Sequence, residues 1–250
     1  RKTSYAILNF EPDEEKAKKL TPNVREELAT QPDVVRAYLM GFPALSYDLA
    51  KGSESDLKEA ELFSLPLTLL LLLAVFGSLL AAGLPLILGV FAIVISLAAI
   101  YLIALRVETS IFVMNTASMI GLGLGIDFSL LMVSRFREEL DKGLSPHQAT
   151  INTVATSGRS IVFSGLTVML GLSVLLLYEL VLIRSIAIGM LLVAGMAMLG
   201  AVTLLPALLA LFGHKINSLR LIPRFGRRGG HAGEGRWHRL SLIVMRRPWL

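Results

Sequence analysis

The chain has 250 residues, of which 54% are hydrophobic and only 17% are charged, and its mean hydropathy is +0.67. This composition is too apolar for a soluble domain of that length. Because the sequence has no cysteine, a disulfide framework and thiol chemistry are excluded within it. The net charge of +5 comes from basic residues beside predicted membrane spans, so we expect no nucleic-acid partner.

Residues 1–60 differ in kind from the rest and predict the end of an extracytoplasmic α/β domain. The expected elements are a strand at 3–10, a helix at 14–31, a strand at 33–43 and a polar helix or loop at 44–61. Within the helix, Thr21 and Pro22 mark a point where it can kink or restart. The sheet would need further strands from outside this sequence.

The chain from residue 61 to residue 213 predicts a bundle of five transmembrane helices. Long stretches lack any charged residue, and a helix needs about 20 apolar residues to cross a bilayer. The longest stretch is two spans, with a break between Gly77 and Pro85, because Gly and Pro can end one helix and start the next. The expected spans are 61–80, 83–105, 110–137, 159–178 and 184–213.

The Lys and Arg residues of the connections predict the orientation of the spans. Most of them follow the third and fifth spans, at Arg135, Arg137, Lys142, Arg159, Lys215, Arg220, Arg224, Arg227 and Arg228. The connections at the other end hold Arg106 and Arg184, each with a glutamate nearby. The basic end is therefore predicted to be cytoplasmic, and residues 1–60 are predicted to lie outside.

Three further segments are predicted to be accessory. They are an interfacial helix at 145–158 with Ser145 as N-cap and Pro146 at its first position, a mobile basic glycine-rich linker at 214–236, and an amphipathic lead into a further span at 237–250. The histidines lack metal-ligand spacing and are His147, His214, His231 and His238. We find no nucleophile–base pair or phosphate-binding loop, so we expect neither an enzyme nor a metal or cofactor.

Asp127 is the one acid inside the third predicted span. It stands eight residues before Arg135, about 12 Å inside the basic end of a helix, where a charged carboxylate costs roughly 2.5–3.5 kcal/mol. Loss of hydration favours its neutral form, so such an acid can carry protons; the alternative is a structural acid.

The residues on the helical face of Asp127 are Thr116, Ile120, Gly123, Leu131 and Ser134. Gly121 and Gly125 form a G-x-x-x-G pair suited to close helix packing.

The stretch GLGLGIDFSLLMVSRFREEL, residues 121–140, resembles the fourth-span signature of the MMPL family (mycobacterial membrane protein large) of the resistance-nodulation-division superfamily. Other stretches agree: MGFPALSYDL, SLPLTLLLLLAVFGSLLAAGLPL, TVATSGRSIVFSGLTV and TLLPALLALFG. The resemblance implies twelve spans in two homologous halves, each with a porter domain after its first span. This chain would hold the end of the first porter domain, spans two to six and the lead into span seven.

The resemblance also implies a proton-driven exporter of lipids or other hydrophobic compounds, multi-pass in the bacterial inner membrane. In that family an Asp–Tyr pair on the fourth span relays protons with an equivalent pair on the tenth. Asp127 matches the acid, but Phe128 stands at the Tyr position and cannot hydrogen-bond. The polar partner would then come from the second half of the transporter or from water.

Other residues are expected to complete the site. Ser164 and Thr167, three residues apart, either hydrogen-bond toward Asp127 or bond their own backbone, and Gly121, Gly123 and Gly125 are expected to pack helices there. The partners implied are the hydrophobic substrate, protons, membrane lipids and the second half of the transporter. The alternative function is a non-transporting scaffold or a lipid- or sterol-sensing protein of the same architecture.

Overall fold

The computed structural model describes residues 7, 14–29, 38–107, 109–110, 112–217 and 245. Over these residues the elements are all helical, with no β-strand element. In chain order they are α1 (Glu14–Ala29), α2 (Phe42–Phe76), α3 (Leu79–Ala104), α4 (Phe112–Asp141), α5 (Pro146–Thr153), α6 (Arg159–Ser173), α7 (Val181–Val202) and α8 (Leu204–Phe212). A π-helical turn, Val154–Gly158, joins α5 to α6, and 3-10 turns follow at Val174–Leu177 and Gly213–Asn217.

The first helix confirms the predicted helix at 14–31, within two residues of its end. It does not restart at Pro22, which lies inside α1. The Thr21 hydroxyl instead donates a hydrogen bond to the Ala17 carbonyl oxygen at 3.0 Å, so it bonds its own helix and caps nothing. The predicted strand at 3–10 lies outside the described residues except for Ile7.

The predicted strand at 33–43 is wrong in its described part. Residues 38–40 are irregular and α2 begins at Phe42. Two neighbouring residues explain this start: Gly41 has φ 132°, which only glycine adopts readily, and Pro43 lies in the first turn, where a missing N–H costs nothing. The described residues therefore show none of the predicted sheet.

Five helices of the described chain are long and apolar enough to cross a membrane. The first of them, α2, is continuous for 35 residues, or about 52 Å, against a hydrocarbon thickness of about 30 Å. Its polar first half is the segment expected as a helix or loop at 44–61. The transmembrane part of α2 is therefore a direct continuation of a helix that extends outside the membrane.

The break between the first two spans falls at Gly77–Ser78. Gly77 closes α2 in the left-handed conformation at φ 66°, and the Ser78 side chain caps α3 by accepting from the Ala81 amide at 3.3 Å. Glycine and serine favour these cap conformations. The prediction that the break extends through Gly83 to Pro85 is wrong, because both residues lie inside α3.

The last two spans each contain an irregular turn toward their basic ends. Ser145 caps α5, accepting from the Gln148 amide at 3.3 Å, as predicted, but α5 then runs through the π-helical turn into α6 and is not a separate helix. In the final span the regular helix is broken at Thr203, between α7 and α8. Of the predicted linker at 214–236 only 214–217 are described, and 237–250 lie outside the description except for Met245.

Helices α3, α4 and α7 all pack against one another, and α4 has the most extensive contacts of the three. Small residues allow this packing: a Cβ on Gly125 would lie 2.5 Å from the Gly89 Cα of α3. Larger side chains fill the core below, and Met132, Val133 and Phe136 of α4 are fully buried. The helix that carries Asp127 is thus the central element of this part of the protein.

Candidate functional site

Asp127 lies on the exposed face of α4, away from the core. Gly123, Leu131 and Ser134 are exposed on the same face, as the helical spacing predicts. Asp127 makes no hydrogen bond or ion pair with any residue that the structure describes. Its carboxylate is therefore available to a group outside this part of the chain, or to water.

The structure places Ser164 and Thr167 of α6 at about the depth of Asp127. Gly121 of α4 contacts Val193 of α7, and Gly165 of α6 contacts Met198 of α7. Helices α4 and α7 run in the same direction. The five residues from Val193 to Met198 advance about 7.5 Å, and the six from Gly121 to Asp127 advance about 9 Å. Asp127 and Gly165 are therefore almost level.

Ser164 and Thr167 are both exposed, as Asp127 is. The Thr167 hydroxyl donates to the Phe163 carbonyl oxygen of its own helix at 2.8 Å, while Ser164 has no partner among the described residues. Thr167 thus follows the backbone-bonded alternative. Of the two hydroxyls, only that of Ser164 is therefore left for a group outside the described residues.

Phe128 lies in the core, not on the face of Asp127. Only 3% of it is exposed, and it belongs to the apolar cluster that α3, α4 and α7 share. Consecutive helical residues point about 100° apart, so an exposed residue and a buried one can be neighbours in sequence. In this structure the side chain at the position of the family tyrosine is a packing residue.

The glycines near Asp127 divide into two groups. A Cβ on Gly121 would lie 2.7 Å from both Ile93 and Val193, and one on Gly125 would meet the backbone of Gly89. These two glycines allow α4 to approach its neighbours closely. Gly123 faces the other way, and a Cβ there would meet nothing within 4 Å.

Arg137, near the basic end of α4, is buried, with 8% of it exposed. Its Nη1 donates to the carbonyl oxygen of Phe76, the last residue of α2, at 2.7 Å. Its guanidinium carbon lies 6.0 Å from the centre of the Phe76 ring, which is cation–π distance. This side chain therefore joins α4 to the end of α2.

Glu139 joins α4 to α5 in a similar way. Its side chain is 4% exposed, and its oxygens accept from Arg135 at 2.9 Å, from Lys142 at 2.6 Å and from the Asn152 amide at 3.1 Å. Two cations and an amide donor compensate the burial of this carboxylate. The connection between α4 and α5 is thereby held at the bundle surface.

From the sequence, Arg137 served only as an orientation signal, and Glu139 was not among the predicted site residues. A pattern for Arg137 was present, because it stands four residues after Val133 and three before Leu140, both of which are buried. A charged residue three or four positions from buried apolar residues lies on the same side of the helix. It is therefore expected to be buried and to have a polar partner. The described residues hold no group of side chains able to bind a metal ion, and His147 and His214 are exposed.

The fold and the site together define a class: a polytopic helical membrane protein with an acid within one of its spans. The family model for the MMPL family matches residues 1–250. The chain therefore belongs to the MMPL family, as its resemblance implied.

The relatives that the chain matches include mycobacterial transport proteins. The chain is 40% identical over 216 residues to "Probable transport protein MmpL11" of Mycobacterium leprae, and 38% identical over 215 residues to "Mycolic acid-containing lipids exporter MmpL11" of Mycolicibacterium smegmatis. It is 39% identical over 216 residues to "Heme uptake protein MmpL11" of Mycobacterium tuberculosis. Each match covers 86% of this chain but only 21 or 22% of the relative, so the chain spans about a fifth of these proteins.

Proposed function

We propose that this chain is part of a proton-motive-force-driven exporter of lipids or other hydrophobic compounds in a bacterial inner membrane, with Asp127 as its proton-binding residue. Family membership supports transport, and the relative of M. smegmatis is named as a lipid exporter. The observation that carries the proposal is the position of Asp127. It is exposed within an apolar span and has no partner among the described residues.

The physical argument begins with the cost of a charge in hydrocarbon. An acid cannot face lipid tails without a penalty of roughly 2.5–3.5 kcal/mol or more, so intramembrane acids face protein or water. The exposed face around Asp127 therefore requires a polar cover, for which a second half of the transporter is the natural source. Under such a cover Asp127 can alternate between a charged and a protonated form. Each form favours a different packing of the Asp127 face against the second half of the transporter.

Residues 1–60 are then the end of an extracytoplasmic porter domain, and substrate selection rests largely on parts outside this chain. The alternative is the non-transporting scaffold or sensor, in which the acid is structural. The exposed and unpartnered carboxylate favours transport over this alternative, because a structural acid is expected to be satisfied by its own bundle.

The test is transport by the full-length protein in proteoliposomes under an imposed pH gradient. Wild type is compared with Asp127→Asn and with a matched control, Asp56→Asn, which makes the same chemical change in the exposed polar half of α2. We expect gradient-driven movement to fall at least about tenfold in Asp127→Asn and to be unchanged in the control. A panel of fluorescent long-chain lipids is measured in parallel with haem, since the relatives are named for both.

Transport by Asp127→Asn at the wild-type rate would overturn the role of the acid and favour the scaffold. Movement of haem without movement of lipid would overturn the cargo class. Loss of transport in both variants would identify a general folding defect, which the thermal unfolding of each variant in detergent distinguishes from a loss of coupling.

A further inference from the structure

The membrane-crossing half of α2 packs against the bundle at one end only. Between residues 62 and 76, only Leu72 and Phe76 are buried. Toward the outer end the side chains are largely exposed, with Leu62 at 72% and Phe63 at 71%. Helix α2 therefore contacts its own bundle through its last two turns and leaves it toward the outside.

The last turn of α2 is fixed by a residue of α4. Arg137 donates to the Phe76 carbonyl oxygen at 2.7 Å, and this carbonyl is one of those that the end of a helix leaves without an intrahelical donor. The positive charge of Arg137 also interacts favourably with the negative, C-terminal end of the α2 helix dipole. Arg137 is thus a cap for α2 supplied by the helix of Asp127.

The turn after α2 is fixed from a second side. Ser78 is fully buried, and its hydroxyl donates to the carbonyl oxygen of Ile216, at the end of the last described helix. The turn from α2 to α3 is therefore held by two distant parts of the chain, so the basic end of α2 has little freedom to move independently of the bundle.

The outer end of α2 is attached to a different element. Arg25 of α1 makes a two-pronged ion pair with Asp48 of α2, with N–O distances of 2.5 and 2.6 Å. This ion pair lies outside the apolar part of α2, because Asp48 precedes Leu62 by about 20 Å along the helix. Helix α1 is therefore expected to move with the outer half of α2.

We infer that Arg137 is a positioning residue that couples α4 to α2, with the Phe76–Ser78 turn as a pivot and α2 as the lever that transmits movement of α4 to the extramembrane region. Arg137 stands ten residues after Asp127, about 15 Å further along the same helix. A shift or rotation of α4 therefore displaces the cap of α2 directly. This inference rests on the proposed proton-driven function, because it gives a route by which that site would act.

The first experiment measures the position of α2 in the full-length protein. Spin labels are placed on cysteines at Leu62 of α2 and Leu102 of α3, both exposed, in proteins with Asp127 and with Asp127→Asn, which serves as a permanently neutral stand-in for the protonated acid. We expect the distance distribution to shift on neutralisation. In Arg137→Gln the distribution should broaden and the shift should be lost.

The matched control is Arg159→Gln. Arg159 is also an arginine at the basic end, with its guanidinium carbon 5.6 Å from the ring centre of Phe163, but it is exposed and caps no other helix among those described. It should retain the full shift. The inference is overturned if Asp127→Asn shifts the distance between the labels equally in Arg137→Gln and in the protein that keeps Arg137. It is also overturned if Asp127→Asn shifts this distance in neither protein.

The second experiment measures transport and gradient-driven proton influx in the same proteoliposomes. Arg137→Gln should lower substrate movement about tenfold while proton influx stays within about twofold of wild type, which is uncoupling. Arg137→Lys keeps the charge and a donor, and it should restore part of the transport. A parallel fall of both fluxes in folded protein would show that Arg137 is only structural and would overturn the inference.

The two proposals fail in different ways. If wild type moves no substrate under any gradient, the proposed function fails, whereas the spin-label distances still report whether Arg137 connects α4 to α2. If wild type transports and Arg137→Gln transports equally well, the proposed function stands and the coupling role of Arg137 is rejected.

Discussion

At the residue scale, Asp127 and Phe128 are adjacent in sequence but lie on different sides of α4. The acid is exposed and the phenylalanine is in the core, so the two neighbours serve different surfaces. A hydroxyl at position 128 would point among apolar side chains in this structure. The absence of a tyrosine hydroxyl therefore leaves the exposed face of Asp127 unchanged.

Phe128→Leu is expected to weaken packing without abolishing proton coupling. The smaller side chain leaves part of a buried site unfilled, at a cost of about 1 kcal/mol, and it does not alter the exposed face. We expect a lower midpoint of thermal unfolding in detergent, while transport per folded molecule stays close to wild type. A loss of transport as complete as in Asp127→Asn would contradict this assignment and place Phe128 in the relay.

At the element scale, the contact of α3 with α4 depends on a pair of glycines. Gly125 of α4 faces Gly89 of α3, and a Cβ at position 125 would approach the backbone of Gly89 to 2.5 Å at Cα and 2.7 Å at N. Backbone atoms cannot move aside as flexible side chains do. The axes of the two helices would have to separate.

Gly125→Ala is therefore expected to destabilise the bundle by about 1–3 kcal/mol. Gly123→Ala is the matched control on the same helix, because its Cβ would meet nothing within 4 Å and alanine favours helix by up to about 1 kcal/mol. Thermal unfolding of both variants in detergent checks the difference. Equal stability of the two variants would mean that the Gly125–Gly89 contact does not limit the approach of α3 and α4.

At the scale of the whole molecule, the orientation predicted from basic residues can be tested directly. This stretch of chain has no cysteine, so one introduced into it is unique within it. We expect Ser55→Cys, in the polar half of α2, to react with a membrane-impermeant maleimide in intact cells. His147→Cys, near the start of α5, should react only after the membrane is permeabilised, and the reverse pattern would invert the predicted topology.

The sequence was sufficient to predict five helices long and apolar enough to cross a membrane, and the face of α4 that carries Asp127. Apolar runs determine where helices cross a membrane, and helical spacing determines which residues share a face, so both follow from local pattern. The strand expected at 33–43 failed because Gly41 and Pro43, interpreted as the end of a strand, instead precede and begin α2. Propensity alone could not distinguish these two outcomes.

The contacts of Arg137 and Ser78 could not be predicted, because their partners are distant in sequence. Arg137 bonds to Phe76, which is 61 residues away, and Ser78 bonds to Ile216, which is 138 residues away. A single sequence carries no information on which carbonyl oxygen lies near a given side chain. The burial of Arg137 could have been predicted from its helical spacing relative to Val133 and Leu140, but its hydrogen-bond partner could not.

The π-helical turn at Val154–Gly158 changes which side of the continuing helix the residues after it occupy. Thr153 of α5 and Ile161 of α6 are both fully buried, yet eight residues of regular α-helix would place them about 80° apart around the axis. A π-helical turn accommodates one extra residue, which lowers the offset to about 20°. The inserted residue thus lets one continuous helix present a single buried side along both its interfacial and its membrane-crossing parts.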